Sequence, residues 1–144
     1  MKTKEFIDQL DERRIAEAIG AAELKSSGEI RVFVSHRDLS TPLPEAMRQF
    51  TQLGMDKTRD RNGVLIFVAP ASQKFAVVGD SGVHQKCGDE FWQKVGSVMT
   101  DLMKQGKYTD AILEAIRTIG EILALHFPRD PDDRNELPNS LVRG

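Results

Sequence analysis

Two apolar runs set close together constrain this chain more than any other feature. Gly63-Val-Leu-Ile-Phe-Val-Ala69 reaches Pro70, and Lys74-Phe-Ala-Val-Val78 follows after Ala71-Ser72-Gln73. Both are rich in β-branched and aromatic residues and are bounded by turn formers, which marks them as strands. So short a break cannot carry a parallel crossover, so the pair is predicted to be an antiparallel hairpin. The start of the first strand (Asp60, Asn62, Gly63) then lies beside the end of the second (Gly79, Asp80, Ser81, Gly82). Glycines and two carboxylates share that edge of the sheet, and activity is expected there.

Upstream, residues 29–36 alternate as a strand, with Ile30, Val32 and Val34 on one face and Phe33 on the other. Pro44 suits the first turn of a helix running to about Met55, with Leu43, Met47, Phe50 and Leu53 facing inward. Strand, helix and strand over 29–69 form a right-handed crossover with parallel strands. That topology carries Glu29 to the edge holding Asp60 and Asp80, unless its side chain points away.

The flanks read as helices. Asp11 caps a helix over 11–25 with Ile15, Ala18, Ile19 and Ala22 at helical spacing. After Gly82 a short segment, 83–88, precedes two more. Asp89 caps the first, whose stripe of Phe91, Trp92, Val95, Met99 and Leu102 sets Trp92 against the sheet and ends at Gly106. Thr109 caps the second, whose apolar face includes Ile112, Ile116, Ile119 and Leu123 and which stops at Pro128. The expected organisation is one α/β domain over 1–128 and a polar, partly extended tail over 129–144. Its architecture is a three-layer α/β/α sandwich around a small mixed sheet.

At 144 residues, 40% hydrophobic and 29% charged, the chain suits a single core. A net charge of −2 without a basic run argues against nucleic acid. No apolar stretch has the length of a membrane span, and the first residues lack the apolar region of a secretory signal. The single cysteine, Cys87, excludes an internal disulfide framework, agrees with a cytoplasmic location and reads as a small packing residue. A monomer is expected, with an unidentified protein partner possible.

Gly79-Asp80-Ser81-Gly82 matches the string around the nucleophile of trypsin-like proteases, but a chain this short and helical has no room for their two barrels. A strand-to-helix turn, with Asp80 as its cap, is the plainer reading. The acidic stretch at 130–136 fails the calcium-loop pattern: Arg134 and Asn135 occupy its fifth and sixth positions. Lys57, Arg59 and Arg61 flank Asp60 and could hold a phosphate, or simply be a solvated loop. Carboxylates beside glycine turns suit Ca²⁺ or Mg²⁺, which take oxygen ligands. Dispersed histidines do not suit zinc.

In order and spacing, Gly28-Glu29-Ile30, Arg61-Asn62-Gly63-Val-Leu-Ile66, the hairpin, Val78-Gly79-Asp80-x-Gly82 and the two closing helices resemble the TPM domain family over about residues 10–127. The ending Asn135-Glu-Leu-Pro-Asn139 is similar to that of the stand-alone bacterial members. The resemblance implies an α/β/α sandwich with an acidic cleft for a divalent cation and, from the plant members, an acid phosphatase activity. By motif position it implies Glu29, Asp60, Asp80 and Asp89 as metal ligands. Two departures stand out: the membrane helix or low-complexity tail of many members is lacking, and Asp80-Ser81 replaces the frequent aromatic of the glycine turn. Two functions are therefore expected to compete. One is a non-catalytic interaction or regulatory module binding Ca²⁺ or Mg²⁺. The alternative is a metal-assisted phosphatase for phosphate monoesters, with Arg59 or Arg61 clamping phosphate and Asp80 as base or nucleophile.

Overall fold

The computed structural model describes residues 2–129 and 141–144. The chain order is α1 (Thr3–Asp8), α2 (Glu12–Glu23), β1 (Glu29–Val34), α3 (Pro42–Gln52), β2 (Gly63–Ala69), β3 (Lys74–Gly79), α4 (Ser81–Lys104), α5 (Tyr108–His126) and β4 (Val142–Arg143). The strands form one sheet in the order β3-β2-β1-β4. β1 pairs parallel with β2, Glu29 opposite Gly63, and β2 pairs antiparallel with β3, Val64 opposite Gly79. The hairpin and the parallel crossover thus form as their connection lengths require.

β2 is the central element, buried at all seven positions. Val64, Ile66 and Val68 face the larger core with Ile30, Val32, Ile15, Ile19, Met99, Ile116 and Leu123. Leu65, Phe67 and Ala69 face a smaller one with Phe33, Phe50 and Met55, where the rings of Phe33 and Phe67 stack at 5.4 Å. The sandwich is therefore lopsided, with α3 covering the smaller core and α1, α2, α4 and α5 contributing to the larger one. No described helix is long and apolar enough to cross a membrane.

Several details differ from the sequence expectation. In α3 the buried residues are Ala46 and Phe50, while Leu43 and Met47 are exposed. α4 begins at Ser81, so residues 83–87 are helical, and Gly88 (φ 72°) breaks the helix directly before Asp89. Thr109 caps nothing; its hydroxyl accepts from the Asp11 amide, while the Asp11 side chain caps α2 through the Arg14 N–H. Trp92 is half-buried, with Val95 and Met99 as the buried members of its stripe. Two elements were not foreseen: α1, which buries Phe6, and β4, which places the last residues of the polar tail beside β1. The acidic stretch at 130–136 and the ending at 135–139 lie outside the described residues.

Some polar groups are buried with the core. Glu23 accepts from the Ile30 N–H at 3.0 Å and hydrogen-bonds the Glu29 carboxyl. Arg31 is buried nearby, and Arg129 donates to the Glu23 carbonyl. Burial first, then the bond and charge of Glu29, push the Glu23 carboxyl from 4.5 up to about 9, against the opposing pull of the Ile30 amide and Arg129. For Arg31, desolvation lowers the pKa and outweighs the two carboxylates.

Two predictions follow from packing and protonation. A Cβ at Gly79 would stand 2.4 Å from the Trp92 ring. Gly79→Ala should therefore destabilise by about 1–3 kcal/mol. In a Trp92→Ala background that loss should shrink, a coupling measured by urea midpoints of the four forms. Glu23 keeps its proton in the folded chain between about 4.5 and 9, where the unfolded chain releases it. Stability must then fall as pH rises through that window, by at most about 1.4 kcal/mol per pH unit. Glu23→Gln, which keeps an acceptor for Ile30 and a donor for Glu29, should flatten that slope in midpoints measured across the same range.

Candidate functional site

The edge where β2 begins and β3 ends is tied by short main-chain bonds. The Asp80 N–H reaches the Gly63 carbonyl at 3.0 Å, and the Gly82 N–H reaches the Arg61 carbonyl at 2.9 Å. A Cβ at Gly82 would meet the Asp60 carbonyl at 2.4 Å and the Arg61 carbonyl at 2.6 Å. Only glycine allows that approach. Arg61 itself sits in the left-handed region (φ 50°), so the loop turns sharply before β2.

Asp80 is gripped from two sides. Arg61 Nε donates to one carboxylate oxygen at 2.8 Å and its Nη2 to the other at 3.0 Å, a planar fork. The Ser81 N–H also donates to Oδ1 at 2.7 Å, capping α4. The Asp80 side chain is 6% exposed and that of Arg61 53%, so the carboxylate is buried beneath a guanidinium that reaches solvent. The hydrogen bonds and charge of Asp80 raise the Arg61 pKa further above its ordinary value.

Asp60 is half in solvent at the same edge. Its Oδ2 accepts from the Ser27 hydroxyl at 3.1 Å, and Arg59 stands 3.5 Å away. Asn62 donates to the same Ser27 oxygen at 3.0 Å, while the Asn62 N–H donates to Thr58 Oγ1. Ser27 and Thr58 thus anchor the loop before β2, and neither was among the residues the sequence singled out. Ser27's position directly before the Gly28-Glu29 motif is the signal that could have marked it.

The four candidate ligands are placed unequally. Asp60 and Asp80 share the edge. Glu29 begins β1 beside it, its N–H facing the Asn62 carbonyl at 3.4 Å, but its carboxyl is buried and engaged with Glu23. Asp89 is exposed just beyond the Gly88 break in α4. Among the described residues no cluster of three or more His, Cys, Asp or Glu side chains is arranged to hold a metal. Of the four, Asp60 and Asp80 are the ones whose side chains the fold leaves at this edge, the first half in solvent and the second under Arg61. Cys87 packs half-buried against the larger core, and burial pushes its thiol pKa up, away from reactivity.

The TPM domain family model matches residues 1–122. Among solved structures, the chain is similar to the BA42 protein from the psychrophilic bacterium Bizionia argentinensis, with 37% identity, 92% of each chain covered and a TM-score of 0.85. The N-terminal domain of the cg2496 protein from Corynebacterium glutamicum aligns with 16% identity, 76% of this chain, 67% of that one and a TM-score of 0.53. The N-terminal domain of a P. gingivalis protein aligns with 15% identity, 79% of this chain, 76% of that one and a TM-score of 0.59. These two matches speak for the fold alone. No curated protein matches the chain. With the family model spanning most of its length and a relative this similar over nearly all of it, the chain belongs to the TPM domain family.

Proposed function

We propose that this protein is a non-catalytic interaction or regulatory module that binds a divalent cation, Ca²⁺ or Mg²⁺, through Asp60 and Asp80. One observation carries the reading: the Asp80 carboxylate already holds a cationic group, and that group is a solvent-reaching side chain of the chain itself. Arg61 acts as a tethered competitor. When it swings into solvent, Asp80 is left buried and charged beside Asp60, and a divalent cation restores the lost compensation. The cation supplies positive charge to this edge; the chain's residues supply position. The Gly82–Arg61 bond fixes the loop, and Ser27 and Asn62 hold the Asp60 side of it.

The phosphatase alternative draws less support. Asp80 would have to act as base or nucleophile, yet three donors already occupy its carboxylate oxygens. Arg61, one of the two candidate phosphate clamps, is spent on Asp80.

A ligand that binds only the folded chain raises its stability by about 2.7 kcal/mol at a hundredfold excess over Kd. The melting temperature should rise with millimolar Ca²⁺ or Mg²⁺ and return with chelator, with amide shifts concentrated at residues 59–63 and 79–82. Asp80→Asn should abolish the rise. Arg61→Gln should strengthen binding, because the competitor is gone. If both cations leave the melting temperature and these amides unmoved, the edge is a structural turn and the proposal fails.

A further inference from the structure

The opposite end of the sheet carries an opening that the cation reading does not use. Where β2 ends and β3 begins, a cavity of about 810 Å³ lies among α1, the β2–β3 hairpin, the segment entering α3, the end of α4 and the start of α5. That volume falls within the range of sites that enclose small molecules, roughly 300–1,000 Å³. Walls from five separate segments make it a concave cleft and not a flat apolar face.

Its chemistry is divided. Phe6, Val68, Phe75 and Met103 supply an apolar lining, and of these Phe75 and Met103 are only half-buried. The charged side chains lining it are Lys74 and Lys104, and no Asp or Glu is among the described residues that line it. This reverses the sign of the whole chain, whose net charge is −2. Lys74 gives one hydrogen bond to the Ser40 carbonyl, which leaves two of its three ammonium protons for another acceptor. The Tyr108 ring packs on Phe6 at 5.1 Å, also at the cavity wall. Two lysines beside an apolar lining, with no carboxylate among the described lining residues, complement a molecule with an apolar body and an anionic head.

We propose that this cavity binds a small amphiphilic carboxylate, its hydrocarbon portion against Phe6, Val68, Phe75 and Met103 and its carboxylate taken by Lys74 and Lys104. The site is independent of the Asp60–Asp80 edge, since β2 begins at one and ends at the other. The alkyl chain contributes by leaving water, and the lysines select the charge of the head group.

Decanoate is a suitable probe, followed by amide shifts of the full chain. It should move Phe6, Lys74, Phe75, Met103 and Tyr108 in a saturable way, with affinity rising up to about fourfold per methylene from hexanoate to decanoate. Decanol should bind more weakly by roughly tenfold, and decyltrimethylammonium should leave these amides in place. Lys74 and Lys104 are both exposed, so the double variant Lys74→Gln/Lys104→Gln should keep its fold and lose decanoate affinity by roughly tenfold or more. Asp80→Asn should bind decanoate as the parent does, whatever its response to Ca²⁺. Absence of saturable shifts at millimolar decanoate would overturn the proposal. So would an equal response to the cationic amphiphile, or affinity unchanged in a folded double variant.

Discussion

A missing side chain holds this structure together at its working edge. Gly82 brings its main chain so close to the carbonyls of Asp60 and Arg61 that any Cβ would collide with them. Because it has none, its N–H closes on the Arg61 carbonyl and the first turn of α4 sits directly on the loop before β2. That contact joins the hairpin end to the start of α4. It brings Arg61 within reach of Asp80, lets one carboxylate serve as helix cap and ion-pair partner at once, and leaves Asp60 outside at the rim.

The energy that sustains this edge comes from elsewhere. β2 is buried on both faces, between a larger aliphatic core and a smaller one built on stacked Phe33 and Phe67. Burial of such side chains stabilises by roughly 1.5–3 kcal/mol each, which dwarfs a surface ion pair. The rigid strand therefore fixes where both of its ends point. It can carry a charged loop at one end and an open, lysine-bearing cleft at the other without depending on either.

What could be read in the sequence follows from what each element needs of its neighbours. The hairpin was legible because its connection length excludes the alternative, and the parallel pairing of β1 and β2 because a helix lies between them. Asp11 was legible as a cap because capping is local. The inward face of α3 was legible only in part: Phe50 is buried as expected, but Leu43 and Met47 are exposed and small Ala46 is buried in their place. Periodicity ranks residues by hydropathy and is blind to that preference for a small contact. Two-residue β4 is too short to carry any alternation, and its pairing joins Phe33 to Val142, far apart along the chain. Glu29 reached its expected end of the sheet, yet the direction of its carboxyl depends on Glu23, which belongs to another element.

That last case explains why three carboxylates at one end of a sheet do not become one three-ligand cluster. Each carboxylate brought there by topology must be compensated where it lands. Glu29 finds a protonated neighbour in the interior, and Asp80 finds a guanidinium at the surface. The Glu29–Glu23 pair lies among buried residues, with burial holding the Glu23 carboxyl pKa up. Compensation by Arg61 is different in kind: the partner is long, half-exposed and attached to a loop. Asp80 is thus the carboxylate of this edge whose partner reaches solvent, and it is on this difference from Glu29 that the proposed exchange of Arg61 for a divalent cation rests.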